Sequence, residues 1–216
     1  LRLLKPLEFY QNKYGTSLYG LNKMYLLMEK QHNRGQDGVG LANIKLDVDP
    51  GKRYISRKRS VAANPIQDVF KQANKRFIEL ENKEPEKLKD TKWMKDNLPF
   101  TGELFLGHLR YGTFGGNTIE QCHPFLRQSN WKTRNLVLAG NFNMTNVDEL
   151  FQQLVNIGQH PKQKADTVTI LEKIGHFLDE ANDEIYYKNK DIFTKKEITK
   201  VIEDQLDIQD ILIQSA

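Results

Sequence analysis

The sequence predicts an α+β fold or a layered α/β sandwich, and three observations lead there. Alternating apolar and polar residues mark strands. Apolar residues at helical spacing mark helices, which follow the strands in pairs. No internal repeat is present, which excludes a solenoid or propeller reading.

The elements follow in chain order. Leu18, Leu21, Tyr25 and Met28 predict an amphipathic helix over about Tyr19 to Gln31. Val39 to Leu46 reads as a buried strand, Asp49-Pro50-Gly51 as a turn and Tyr54 to Arg59 as an edge strand. Asn64-Pro65 predicts a helix start, with Asn64 as N-cap, continuing through Val69, Phe70, Ala73 and Phe77. Residues 82–97, dense in Lys, Glu and Asp around Trp93, read as an exposed helical excursion poorly suited to a core. Gly102 to Tyr111 is the clearest strand, with Leu104, Leu106, His108 and Arg110 on one face. Leu136 to Ala139 is a second core strand. Asn146 with Glu149 and Thr194 with Glu197 read as capping boxes, and another helix starts near Asp166. A helical pattern, Asp210 to Ala216, runs to the last residue.

A chain of 216 residues can bury a substantial core and suits one ordinary domain, with two small ones as the alternative. Its 38% hydrophobic and 28% charged residues fit a folded protein rather than a disordered one. No apolar run is long enough to cross a bilayer, so no membrane partner is expected. One cysteine, Cys122, excludes an intramolecular disulfide framework and a Cys-rich zinc site, and points to a reducing, cytoplasmic setting. The histidines show no metal-ligand spacing. A net charge of +4, interspersed with acids, argues against a dedicated nucleic-acid surface. The basic run Lys52 to Arg59 reads as a charge-protected edge strand rather than a nucleic-acid contact.

Four polar segments interrupt apolar elements at their ends: Arg34-Gly35-Gln36-Asp37, His108 to Thr113, Gly140-Asn141-Phe142-Asn143, and Ala165-Asp166-Thr167. A free amino acid needs a guanidinium for its carboxylate and a carboxylate for its ammonium. An acyl transfer needs donors where an oxyanion forms. The segments hold all of these. Each residue also has a plain structural reading: a paired Arg110, a polar turn around Arg34, an N-cap at Asp166, a left-handed turn at Asn141 and Asn143.

The motifs Gln31 to Gly40, Gly107 to Thr113, Asn141 to Asn146 and Asp166-Thr167, in that order, resemble class II glutamine amidotransferases, most closely the amidophosphoribosyltransferase branch. The resemblance spans about Leu18 to Leu178. It implies the four-layer αββα sandwich of N-terminal-nucleophile hydrolases, incomplete at both ends. It implies L-glutamine as substrate, with a first-residue cysteine as nucleophile whose own amino group is the base. Arg110 would take the glutamine α-carboxylate and Asp166 the α-ammonium. Asn141 and the main-chain N–H of Phe142 would stabilise the oxyanion. Arg34 would close the pocket, Gln36 and Asp37 would shape its turn, and Thr113 would line the loop over the substrate.

Phe142 departs from the pattern, which has glycine there, and the nucleophilic cysteine is expected a few residues ahead of Leu1. The 216 residues alone are therefore expected to be inactive. A phosphoribosyltransferase domain, with magnesium and phosphoribosyl pyrophosphate, is expected beyond Ala216, and no cofactor within the segment. A homo-oligomer is expected. The alternatives are a non-catalytic amidotransferase-like binding module and another branch, a sugar aminotransferase or asparagine synthetase.

Overall fold

The computed structural model describes residues 1–112, 118–141, 143–194 and 197–216, with Arg34 described in its main chain only. The chain forms two compact units, Leu1–Pro124 and Phe125–Ala216.

The first unit contains α1 (Leu7–Tyr14), α2 (Tyr19–Lys30), β1 (Gly38–Ile44), β2 (Ile55–Ser60), α3 (Pro65–Lys83), α4 (Thr91–Asn97) and β3 (Leu104–Arg110). Its antiparallel sheet has the order β2-β1-β3. Val39 stands opposite Ser60 and Leu109, and Gly40 opposite Arg59 and His108. Alternation along the strands then divides the sheet. Val39, Leu41, Phe105 and Leu109 share one face and pack into a core with Leu21, Met24, Met28, Val69, Phe70, Ala73 and Phe77 of α2 and α3. Gly38, Gly40, Arg57, Arg59, His108 and Arg110 share the other. At Gly107 a Cβ would lie 2.3 Å from the Met24 methyl, so a glycine there lets α2 approach β3 closely.

Helix α1 has no counterpart in the sequence reading; it buries only Leu7 and Tyr10, too short an apolar stripe to stand out. The charged excursion also differs from expectation. It breaks into the end of α3, a 3₁₀ turn at Pro85–Lys89 and α4, which is capped by Asp90 accepting from the Trp93 N–H at 2.9 Å. Met94 within it and Leu98 directly after it are 2% and 1% exposed, so the segment and its end supply core residues that its charge density concealed. Pro65 opens α3 as predicted, but Asn64 makes no side-chain cap.

The second unit contains β4 (Phe125–Arg127), β5 (Leu136–Leu138), α5 (Val147–Asn156), α6 (Asp166–Asn189), α7 (Ile198–Gln205) and α8 (Ile208–Ser215). The two strands pair antiparallel. Leu150, Leu154, Val168, Leu171, Leu178, Ile198, Ile202 and Ile211 are buried. Arg127 pairs with Glu172 at 3.3 Å and Asp179 at 2.5 Å, and Arg134 pairs with Asp179 and Asp183, tying the strands to α6. A Cβ at Gly175 would meet Arg127 Nε at 2.4 Å, so the glycine admits the guanidinium. Asn146 opens α5 without a side-chain cap. Thr194 and Glu197 do bond, with Glu197 Oε2 accepting from the Thr194 hydroxyl at 2.7 Å and its N–H at 3.0 Å. Small antiparallel sheets beside separate helices make the fold α+β. No helix among the described residues is long and apolar enough to cross a membrane.

Candidate functional site

In the first unit two of the four polar segments meet. After α2 the chain makes a 3₁₀ turn at His32–Arg34 and enters β1 through Gly35, Gln36 and Asp37. The Asp37 N–H donates to the Arg110 carbonyl at 3.1 Å, and Asp37 Oδ2 accepts from the Gly112 N–H at 2.7 Å. A Cβ at Gly35 would sit 2.6 Å from the Leu109 carbonyl oxygen, so only glycine allows the turn to lie against the end of β3. Asp37 therefore sutures the start of β1 to the residues following β3. Gln36 is exposed. Among the residues bordering a cavity of about 330 Å³ are Gln36, Glu29, His32, Asn64 and Gln67. Thr113 lies outside the described residues.

Arg110 is partly buried at the end of β3, and its Nη2 donates to Gln121 Oε1 at 2.7 Å. What surrounds it was not legible as a site. The segment Gln121–Pro124 crosses the glycine face of the sheet, where a Cβ at Gly38 would meet Cys122 Sγ at 2.6 Å and one at Gly40 would meet the His123 carbonyl oxygen at 1.7 Å. Arg59 donates to the Cys122 carbonyl at 2.9 Å and Arg57 to the Pro124 carbonyl at 3.1 Å. Both arginines belong to the basic run read from sequence as a solvated edge. Their side chains instead fasten this crossing segment, and only the alternation within Ile55–Ser60 hinted at it.

The His108 and His123 rings stack with centroids 4.4 Å apart. Burial, and then the charges of His108, Arg110 and Arg59, push His123 down to about 4. It is neutral at pH 7. Cys122 is fully buried. Burial raises its thiol pKa against the opposing pull of Arg110 and Arg59. A protonated, inaccessible thiol is no nucleophile.

In the second unit the Ala165–Thr167 segment meets the chain just after the Gly140–Asn143 segment. Asp166 is the first residue of α6, and Ala165, not Asp166, occupies the cap position. Asp166 Oδ2 accepts from the Met144 N–H at 3.0 Å, so its carboxylate holds the stretch that follows β5. Asn141 is exposed in that stretch. Phe142 lies outside the described residues. No group of three or more His, Cys, Asp or Glu that could hold a metal occurs among the described residues.

Sequence comparison gives the class first: the curated relatives found are amidotransferases, and the chain is related to them. More particularly, each is an amidophosphoribosyltransferase, as the motifs predicted. That of Methanocaldococcus jannaschii is 29% identical over 161 residues, covering 74% of this chain and 27% of the relative. Those of Archaeoglobus fulgidus and Bacillus subtilis are 28% and 30% identical, again over 74% of this chain, and 27% and 26% of the relatives. The chain thus spans about a quarter of the length of these relatives. A solved glutamine phosphoribosylpyrophosphate amidotransferase from B. subtilis, complexed with ADP and GMP, aligns at a TM-score of 0.43 and 25% identity, covering 88% of this chain and 30% of the other. No family model matches the chain.

Proposed function

We propose that this chain is the glutamine-hydrolysing, ammonia-producing domain of an amidophosphoribosyltransferase-like enzyme of purine synthesis, built as a four-layer αββα sandwich. The observation that carries the reading is the suture at Asp37, which joins the Arg34–Asp37 turn to Arg110–Gly112. Two motifs separated by some seventy residues are thereby fixed against each other by one main-chain bond and one bond to the Asp37 carboxylate, as a substrate site requires.

In this reading Arg110 binds the α-carboxylate of L-glutamine and Asp166 the α-ammonium. A carboxylate can accept from Met144 and still take a further donor. Asn141 and the Phe142 N–H stabilise the oxyanion formed when a thiolate adds to the side-chain amide carbon. The C–N bond then breaks, ammonia leaves, and water cleaves the thioester to glutamate. Arg34 and Thr113 close over the substrate, and Gln36 borders it.

Cys122 does not supply the thiolate, for the reasons above. A cysteine ahead of Leu1 fits the edge of β3. Leu1 exchanges two hydrogen bonds with Phe105, at 2.9 and 2.8 Å, and Arg2 stands opposite Leu104. Each residue added upstream would stand one further along β3, and about the fifth would reach Arg110. The phosphoribosyl step, with its magnesium, belongs to residues beyond these, and the whole enzyme is a homo-oligomer.

Isothermal titration with L-glutamine tests the site. Binding should weaken about tenfold to a hundredfold in Arg110→Ala and in Asp166→Asn, the loss of one charge-assisted hydrogen-bonded contact in each. Unchanged affinity in both variants would remove the assignment.

A further inference from the structure

A second cavity lies away from the segments described above. It has a volume of about 500 Å³ and is bordered by β2, α3 and the stretch from Asp96 to Phe100. That volume lies within the range of small-molecule sites. Lys45, Arg53, Lys58, Lys75 and Arg76 line it, against two carboxylates, Glu79 and Asp96. Glu79 is engaged by Arg76 at 3.4 Å. Arg57 also borders it, but its Nη1 is engaged by the Pro124 carbonyl.

The register explains the convergence. Lys58 and Ser56 stand opposite Leu41 and Asn43, on the sheet face that α3 covers. Gln72, Lys75, Arg76 and Glu79 of α3 fall at helical spacing, on one stripe toward that cavity. Lys45 follows β1 directly and is held in ladder register by its N–H bond to the Tyr54 carbonyl at 2.8 Å.

Two groups at this cavity lack what buried polar groups normally have. Lys45 is only 2% exposed, yet it forms no ion pair among the described residues. Ser56 is 1% exposed, and its buried Oγ has no hydrogen-bond partner among them. Buried charges and hydroxyls are ordinarily paired, because desolvation is otherwise uncompensated. Burial has lowered Lys45 to about 8, with Asp96 opposing the shift.

We propose that this cavity is a binding site for a small phosphorylated anion. A phosphate group carries about two charges and several acceptor oxygens, enough to engage Lys45, Lys58 and Lys75 together with the Ser56 hydroxyl. A single carboxylate would leave most of these cations uncompensated. This site stands independently of the glutamine reading.

The test is titration of the 216-residue chain with inorganic pyrophosphate and, separately, with phenyl phosphate, by calorimetry. Saturable one-to-one binding is expected. It should weaken at least tenfold in Lys58→Glu and Lys75→Glu, which alter exposed positions and leave the core intact, and in Ser56→Val. Lys71→Glu makes the same charge change on α3 outside the lining and should bind as the unaltered chain does. Binding of both probes assigns the site to phosphate groups in general, and binding of pyrophosphate alone assigns it to inorganic anions. No saturable binding of either probe overturns the proposal, as does an equal loss in Lys71→Glu, which would mark general attraction to a basic protein.

Discussion

In residues 1–124 a polar turn is held over a continuous apolar core by one main-chain hydrogen bond, Asp37 to Arg110, and by the Asp37 carboxylate accepting from the Gly112 N–H. In residues 125–216 the corresponding polar stretch is held by a carboxylate, and the strands beside it by guanidinium pairs. The first arrangement places backbone groups by sheet register, which moves only if the sheet moves. The second depends on charged side chains that are 18% to 31% exposed at Arg127, Arg134, Glu172 and Asp179. One unit should therefore answer to changes in volume and the other to changes in charge.

The comparison breaks most visibly at Gly40. Gly40→Ala sets a Cβ against the His123 carbonyl oxygen, an overlap that backbone movement alone can relieve. A loss of about 3 kcal/mol is expected, or about 6–12 °C in melting temperature, with Cys122 becoming reactive toward a thiol reagent. An unchanged melting temperature would show that the crossing segment does not lie on this face. Next in size, Arg127→Met should cost about 2–3 kcal/mol by stranding Glu172 and Asp179. Hydrogen exchange should then rise along α6 while β1 stays protected; equal loss in β1 would erase the contrast between the units.

Asp37→Ala should cost about 0.5–1 kcal/mol, the net worth of an exposed hydrogen bond to the Gly112 N–H, and Asp37→Asn, which retains an oxygen there, should recover part of it. Denaturant titration of the two variants measures both. A further effect concerns pH. His123 is lowered from 6.5 to about 4, so the unfolded chain binds its proton more readily between those values. Stability from this group is complete above about 6.5 and is lost as pH falls toward 4. His123→Gln should flatten that part of the profile, and an identical slope in both proteins would count against a buried neutral ring.

Strand β1 was legible as a short run buried on both faces, and α3 because Pro65 and a clean apolar stripe announce it. Helix α4 was not, since Met94 is its single buried residue, set amid lysines and acids, and burial of so few leaves no periodic signal. The polar segments could be located from sequence, and their order carried the family resemblance. The suture at Asp37 could not be read, because hydrogen bonds from a side chain to a main chain 75 residues away leave no local pattern. The same holds for Arg57 and Arg59: their charges read as solvated, while their partners are carbonyls on a segment that glycines at 38 and 40 admit.

The most direct measurement of the central claim is a titration of isotope-labelled chain with L-glutamine, followed residue by residue. The account predicts saturable shifts at the amides of Asp37, Gly38 and Gly112 and at the Arg110 side chain, and at Met144 and Thr167, with D-glutamine giving much weaker changes. Shifts absent from these positions at saturating L-glutamine, or identical for both enantiomers, would contradict it.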